Sequence, residues 1–235
     1  MSVTVKWLGH ACVLLEHNGK TVIIDPWIDN PKSPGEEHKP KKIDLMLITH
    51  GHNDHFGNAI ELAKEHKPTI AVIHEMSVYL TSKLGEFGGN IVGMNFGGTY
   101  EFEGIKVTMV PSSHSGGYHD GTTMHYLGSP GGYVVTFPDG NSFYHCGDTC
   151  VTKEMMITKD LFEPKVGILA IGGHYTMDPR GAAYAAKMMG LSSVIPIHWG
   201  TFVPPLNGTP DDLRRELEGS GIEVKELIPG GSIEF

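Results

Sequence analysis

Four side chains able to bind a metal fall within six residues, His50-Gly51-His52-Asn53-Asp54-His55. In an extended or loop backbone His50 and His52 point the same way, so their imidazoles can converge on one ion. Asp54 and His55 leave the turn in other directions and can serve a second. Imidazole and carboxylate together suit zinc, manganese, iron or nickel, and the lack of a thiolate in the string argues against a closed structural zinc site. A His-rich solvated turn is the bland alternative, and the specificity of the spacing weighs against it. The run before the string, Asp44 to Thr49, is short and apolar and reads as a buried strand. Behind it, Asn58 to Glu65 carries Ile60, Leu62 and Ala63 and reads as a helix. The candidates then sit on a loop between strand and helix.

The string Thr49-His50-Gly51-His52-Asn53-Asp54-His55 resembles the signature of the metallo-β-lactamase superfamily. That superfamily places a third His on a later loop, an Asp after a further strand and a last His near the carboxyl end. His114, Asp148 and His198 match in that order, each after an apolar run. Trp7-Leu8-Gly9-His10-Ala11, with Gly173-His174-Tyr175-Thr176-Met177-Asp178, narrows the likeness to uncharacterised metal-dependent hydrolases related to L-ascorbate-6-phosphate lactonase.

The resemblance implies an α/β fold, a four-layer αβ/βα sandwich of two mixed sheets with helices outside, in one domain over residues 1–235. It further implies that His50, His52 and His114 bind one divalent ion, that Asp54, His55 and His198 bind a second, and that Asp148 bridges them. Zinc is the first choice for both, with manganese, nickel or iron as alternatives. Two such ions share a water, lower its pKa and polarise the bond under attack, which is hydrolysis without a protein nucleophile. A small ester, lactone or phosphodiester is the expected substrate. Consistent with this, the chain has no Gly-x-Ser-x-Gly elbow and no phosphate-cradling glycine loop.

Asp54 is assigned a catalytic role, and so is His10, as proton donor or substrate contact. The plain reading of His10 is a strand-corner residue bonded to backbone. His174 and Tyr175 are assigned to substrate, although Asp178 reads equally as a helix cap and Tyr175 as packing. The competing function is a non-catalytic metal-containing binding or regulatory protein. An oxygen-reducing di-iron protein is disfavoured by His52, where that branch usually has a carboxylate.

The elements that must position these residues follow in order. Val3 to Trp7, Cys12 to Glu16 and Thr21 to Asp25 read as strands, with Asn18-Gly19 as a hairpin turn. Pro26 to Lys42, with four prolines, reads as an exposed loop. Thr69 to His74 is a strand and Ser77 to Leu84 a helix, and Ile91 to Met94, Thr99 to Phe102 and Ile105 to Val110 are strands. Ser112 to Gly132 has no periodicity and reads as a long loop in which His119 and His125 are exposed polar residues rather than ligands. Tyr133 to Phe137 and Asn141 to Cys146 form a hairpin that delivers Asp148. Thr152 to Leu161 is a helix capped by Thr152, and Val166 to Ile171 a buried strand. Pro179 to Met189 is a helix capped by Asp178, with Arg180 solvated in its first turn. Ser193 to Ile197 leads to His198, Thr209 caps a helix over Pro210 to Leu217, and Val224 to Ile228 with Ser232 to Phe235 are strands.

Composition bounds the function classes. In 235 residues, 40% hydrophobic and 9% aromatic, the chain has the makeup of an ordinary globule. A net charge of −9, with Lys39-Pro40-Lys41-Lys42 as the basic cluster, speaks against a nucleic-acid surface, and the small-molecule substrate is what the resemblance implies. No stretch is long and apolar enough to span a bilayer, and the amino terminus alternates like a strand rather than a signal peptide. Three cysteines, Cys12, Cys146 and Cys150, fit a reduced cytoplasm, and burial without chemistry is the expectation for Cys146 and Cys150. A homo-oligomer is compatible with all of this.

Overall fold

The computed structural model describes residues 2–202 and 206–235. The first half of the chain opens with the antiparallel strands β1 (Thr4–Trp7), β2 (Val13–His17) and β3 (Lys20–Ile24). Asn18 and Gly19 join the last two with φ of 51° and 72°, the paired positive angles of a tight hairpin whose twist matches its strands. There follow β4 (Leu45–Leu47), the short α1 (Asn53–Phe56), α2 (Ala59–His66), β5 (Thr69–Ile73), α3 (His74–Leu84) and β6 (Asn90–Met94). The second half holds β7 (Thr99–Phe102), β8 (Ile105–Pro111), β9 (Gly117–His119), β10 (Met124–Tyr126), β11 (Gly131–Thr136) and β12 (Ser142–His145). After these come α4 (Glu154–Phe162), β13 (Val166–Ala170), α5 (Pro179–Met189), β14 (Ser193–Ile197), α6 (Pro210–Glu216), β15 (Glu223–Val224) and β16 (Ser232–Glu234).

Two seven-stranded sheets result, in the orders β16-β1-β2-β3-β4-β5-β6 and β15-β14-β13-β12-β11-β8-β7. Each begins antiparallel and turns parallel, at β3 to β6 in the first and β12 to β15 in the second, so the two halves repeat one plan. This is the expected four-layer α/β sandwich. All five residues of β13 are buried because both faces are covered: Ile168 joins the core shared with the first sheet, and Leu169 joins the core under the outer helices. The face of α5 in that second core is Ala182, Ala183, Ala185, Ala186 and Met189, small enough for close approach. Asp178 caps α5 by accepting from Gly181 N at 2.7 Å, and Thr209 with Asp212 forms a capping box on α6.

A cross-sheet contact lies under the ligand loop. The buried Tyr133 hydroxyl of β11 reaches the carbonyls of Ile48 (2.9 Å) and Ala71 (3.2 Å) on the first sheet. Gly131 N also donates to Thr49 O at 3.0 Å.

Several local expectations change. The segment 112–132 is not all loop: β9 and β10 pair as a small hairpin, and strands of three residues are too short to reveal a period. Asp54 and His55 sit on the helical turn α1 rather than on loop. Helix α4 begins at Glu154 behind Lys153, and Thr152 caps nothing, its hydroxyl being buried without a partner. The strand expected over Val224 to Ile228 shrinks to Glu223–Val224. Cys12 and Cys146 are buried and free, but Cys150 is exposed. Among the described residues no helix is long and apolar enough to cross a membrane.

Candidate metal centre

The ligand candidates stand just beyond strand ends or on the helical turn that follows one. His50 and His52 follow β4, His114 follows β8, Asp148 follows β12 and His198 follows β14, while α1 turns Asp54 and His55 back toward them. Sequence separations of more than 140 residues therefore close to contact distances. The donor atoms of His50, His52 and His114 lie within 4.8 Å of one another, as do those of His50, His55 and Asp148, and those of His10, Asp54, His55 and His198. His50 Nε2 and His52 Nδ1 are 3.0 Å apart. Asp148 stands between the groups, with Oδ2 at 3.5 Å from His114 Nε2 and 3.1 Å from His198 Nε2, and Oδ1 at 3.3 Å from His55 Nε2. Asp54 Oδ2 is 3.7 Å from His198 Nε2 and 3.8 Å from His55 Nε2.

The loops are held at these distances by backbone contacts. His198 N donates to His10 O at 2.9 Å, which joins the loop after β1 to the loop after β14. Gly147, with φ of 59°, lets the Asp148 loop pass Gly131 O and Thr49, where an added Cβ would sit 2.6 Å from that oxygen. His10, Asp25 and His198 carry φ of 49°, 52° and 57° without being glycine, the kind of local strain that surrounding structure maintains at functional sites.

Orientation comes from Asp25, which composition and spacing did not single out. It follows β3 directly, is fully buried and accepts from Thr49 N (2.8 Å), Thr49 Oγ1 (2.8 Å) and His55 Nδ1 (2.7 Å). Because the Thr49 hydroxyl donates to Asp25, it accepts from His50 Nδ1 at 3.0 Å. One carboxylate thus places the proton of His50 and of His55 on Nδ1 and leaves both Nε2 atoms aimed at the cluster. His145, also missed, is fully buried; its Nε2 meets Ala11 O at 3.2 Å and its Nδ1 accepts from Gly147 N at 3.2 Å. It ties the turn after His10 to the turn before Asp148. Ser115 Oγ stands 3.3 Å from His52 Nε2.

The electrostatics divide the cluster. Burial pushes His50 well below the ordinary imidazole value and also lowers His52 and His114, so all three are neutral, as ligands must be. Burial alone would lower His55 and His198 too, but Asp148 outweighs it, helped by Asp25 and Asp54 at His55 and by Asp54 at His198. His55 is held well above its usual value and His198 is raised to about 9. Burial would raise Asp54 and Asp148, yet the imidazoles of His55 and His198 hold both well below the carboxylate range. The buried carboxylate of Asp148 and the partly buried one of Asp54 are matched by positive charge, from imidazolium protons or from cations that replace them.

The residues fit divalent ions on a second ground. His55 Nε2, His198 Nε2 and Asp148 Oδ1 are buried without a hydrogen bond, and they are atoms that converge. A donor set of imidazoles and carboxylates with no thiolate suits zinc, manganese, iron or nickel.

A cavity of about 980 Å³ opens over the cluster, lined by His52, Asp54, His114, Asp148 and His198 together with Trp27, Phe202, Tyr175 and others. His10 lies beside the cluster but behind it. It is fully buried, and Nε2–H donates to Asp54 Oδ2 at 2.9 Å. Burial, with His198 nearby, lowers it to about 4, so it is neutral. Tyr175 is 53% exposed at the rim. His174 does not line this cavity; it borders a separate cleft with Asp178, Arg180 and Arg215, and its backbone has a positive φ of 56°. His119 is exposed and His125 is 2.6 Å from Asp120, both off the cluster.

The family model of the Beta-lactamase superfamily domain matches residues 20–199, which include all seven ligand candidates. A UPF0173 metal-dependent hydrolase of Koribacter versatilis is 44% identical to this chain, over 96% of it and 95% of the relative. Another of that name from a Roseiflexus species is 41% identical, over 98% and 96%. Among solved structures, the metallo hydrolase Igni18 of the archaeon Ignicoccus hospitalis matches with a TM-score of 0.88 at 34% identity, covering 100% of this chain and 99% of that one.

Proposed function

The chain belongs to the metallo-β-lactamase superfamily, and on the strength of the cluster at its strand ends we propose that it is a metal-dependent hydrolase of small esters, lactones or phosphodiesters. His50, His52 and His114 would hold one divalent ion, Asp54, His55 and His198 a second, with Asp148 between them; zinc fits best. When bound, the ions lower the pKa of a water and polarise the carbonyl or phosphoryl oxygen under attack.

The chain's own groups do the rest. Asp25 keeps the imidazole protons of His50 and His55 away from the centre, directly at His55 and through Thr49 at His50. His10 orients Asp54 through Nε2–H rather than touching substrate, as its burial requires. Asp54 is 23% exposed and lines the cavity, so it is the carboxylate placed to relay a proton to a leaving group. Tyr175 is placed to close over a bound substrate at the rim. The free thiols of Cys12, Cys146 and Cys150 fit a cytoplasmic setting.

The observation that carries this reading is the convergence of donor atoms from four strand ends, several of them buried without partners. To test it, the protein is stripped of metal, reloaded with zinc or manganese and assayed on bis-para-nitrophenyl phosphate and a lactone panel. Turnover that returns with metal supports hydrolysis. Stoichiometric rebinding without turnover on any compound supports the binding or regulatory alternative.

A further inference from the structure

One wall of the cavity is organised in a way the ligand set does not account for. Trp27 and Phe202 stand together there, ring centroids 5.9 Å apart and planes 28° apart. Each meets the His10 ring edge-on, at 5.2 and 5.3 Å. Both are half-buried and so present ring surface to the cavity.

The position of Trp27 is fixed from three sides. Its N–H donates to Asp25 O at 2.8 Å, and its carbonyl accepts from Asn30 Nδ2 at 2.8 Å. Its backbone also presses on Gly57, where an added Cβ would sit 2.5 Å from Trp27 Cα. With Trp27 held this firmly and both rings left open to the cavity, the wall is preorganised for stacking.

The charges of the same cavity point in one direction. Among the described residues lining it there is no Lys or Arg. The charged group outside the metal cluster is the carboxylate of Asp29, held by Asn58 Nδ2 at 2.7 Å. The nearby Lys39 is engaged by Asp29 at 3.5 Å and by Glu36 at 2.6 Å, and Lys32 stands 3.7 Å over the ring of Trp199. A phosphate group on the non-reacting part of a substrate would meet this carboxylate and no guanidinium, and the ammonium beside it, Lys39, is already shared between Asp29 and Glu36.

We infer that the site takes uncharged lactones or esters whose non-reacting part is a flat apolar group laid on Trp27 and Phe202, and that it discriminates against phosphate-bearing substrates. This rests on the hydrolase reading and narrows its substrate class. In the reaction the hydroxyl of water adds to the acyl carbon, the bond from that carbon to the leaving oxygen breaks, and the leaving oxygen takes the remaining proton. The products are a carboxylic acid and an alcohol or phenol.

The test compares δ-valerolactone, its benzo-fused counterpart dihydrocoumarin and a dihydrocoumarin 6-phosphonate. It adds direct binding of 3,4-dihydro-2-quinolinone, the unreactive lactam analogue, by calorimetry. In Trp27→Ala and Phe202→Ala the dihydrocoumarin-to-valerolactone ratio of kcat/KM should fall about three- to tenfold, the worth of a stacked aromatic pair. Lactam affinity should fall in parallel, Trp27→Phe should restore most of both, and the phosphonate should be the poorest substrate. Turnover of the lactones with a ratio unchanged in both alanine variants, or preference for the phosphonate, overturns the inference and leaves the hydrolase reading standing. If no lactone is turned over but the lactam binds with these variant effects, the stacking wall stands and the hydrolase reading falls. Absence of lactam binding to wild-type protein overturns the wall.

Discussion

Asp25→Asn is expected to weaken metal binding by changing a tautomer while the chain stays folded. The wild-type carboxylate accepts three hydrogen bonds, from Thr49 N, Thr49 Oγ1 and His55 Nδ1, within 2.7 to 2.8 Å. An amide of the same shape can accept only on its oxygen. With that oxygen toward Thr49 N, its NH2 faces His55 Nδ1, which must become an acceptor, so the imidazole proton moves to Nε2. A protonated Nε2 cannot ligate. The amide also disturbs the Thr49 hydroxyl through which His50 is oriented. Loss of such an orienting partner lowers metal affinity about 10- to 100-fold, which is about 1.4 to 2.8 kcal/mol. The loss of fold stability should stay within about 1 to 3 kcal/mol, the range for one buried hydrogen-bond mismatch. Zinc affinity by chelator competition, urea unfolding of the metal-free protein, and 15N NMR of the imidazole tautomers measure the three quantities. A folded variant that binds zinc with wild-type affinity, or that keeps the His55 proton on Nδ1, refutes the reasoning.

Further outcomes follow from the same geometry. Tyr133→Phe removes the hydroxyl that spans Ile48 O and Ala71 O, and should cost about 1 to 2 kcal/mol in urea unfolding; an unchanged midpoint would contradict the cross-sheet role. His145→Leu leaves Ala11 O and Gly147 N buried without partners, and should destabilise by about 2 to 4 kcal/mol and weaken metal binding; a variant with normal stability and metal affinity would show that the tie is idle. His198, raised from 6.5 to about 9, contributes stability that is full below pH 6.5 and lost as pH rises through 9. Metal-free protein should therefore melt lower at pH 9 than at pH 7, and the opposite order would contradict the assignment. Zinc must displace that proton, so its affinity should rise about tenfold per pH unit for each proton released in the same range, as calorimetry in buffers of different ionisation enthalpy would show.

What the sequence disclosed about the site depended on how local the signal was. His50, His52, Asp54 and His55 crowd into one turn and announce themselves. His114, Asp148 and His198 are single residues after apolar runs, and only the order of a known family's signature joined them to the first group. Asp25 had no such help, because one Asp before a Pro at a strand end looks like any turn. The available signal was energetic: a carboxylate that ends the apolar strand Thr21 to Ile24 is about to be buried and so must be partnered. His145 carried the same signal inside the buried run Phe143 to Cys146. His174 was assigned to substrate by its neighbours in a motif, but it borders another cleft with a positive φ, and no pattern in the chain reveals a backbone angle at a non-glycine residue.

The fold was legible where periods or caps were long enough to see. Asn18-Gly19, the Asp178-Pro179 start of α5 and the Thr209 cap of α6 all fall as read. The hairpin of β9 and β10 escaped because strands as short as Gly-Tyr-His and Met-His-Tyr show no period, and their attachment is tertiary: Asn53 of α1 grips the backbone of His119 on both sides, at 2.8 and 3.3 Å. The start of α4 was misplaced because Thr152 has the chemistry of a cap but lies one residue too early to use it.

The most direct test of the central claim is anomalous diffraction at the zinc edge from crystals of the zinc-loaded protein. Two peaks are expected, one among His50, His52 and His114 and one among Asp54, His55 and His198, with the Asp148 carboxylate between them. Peaks elsewhere in the chain, or none at this cluster under saturating zinc, would contradict it.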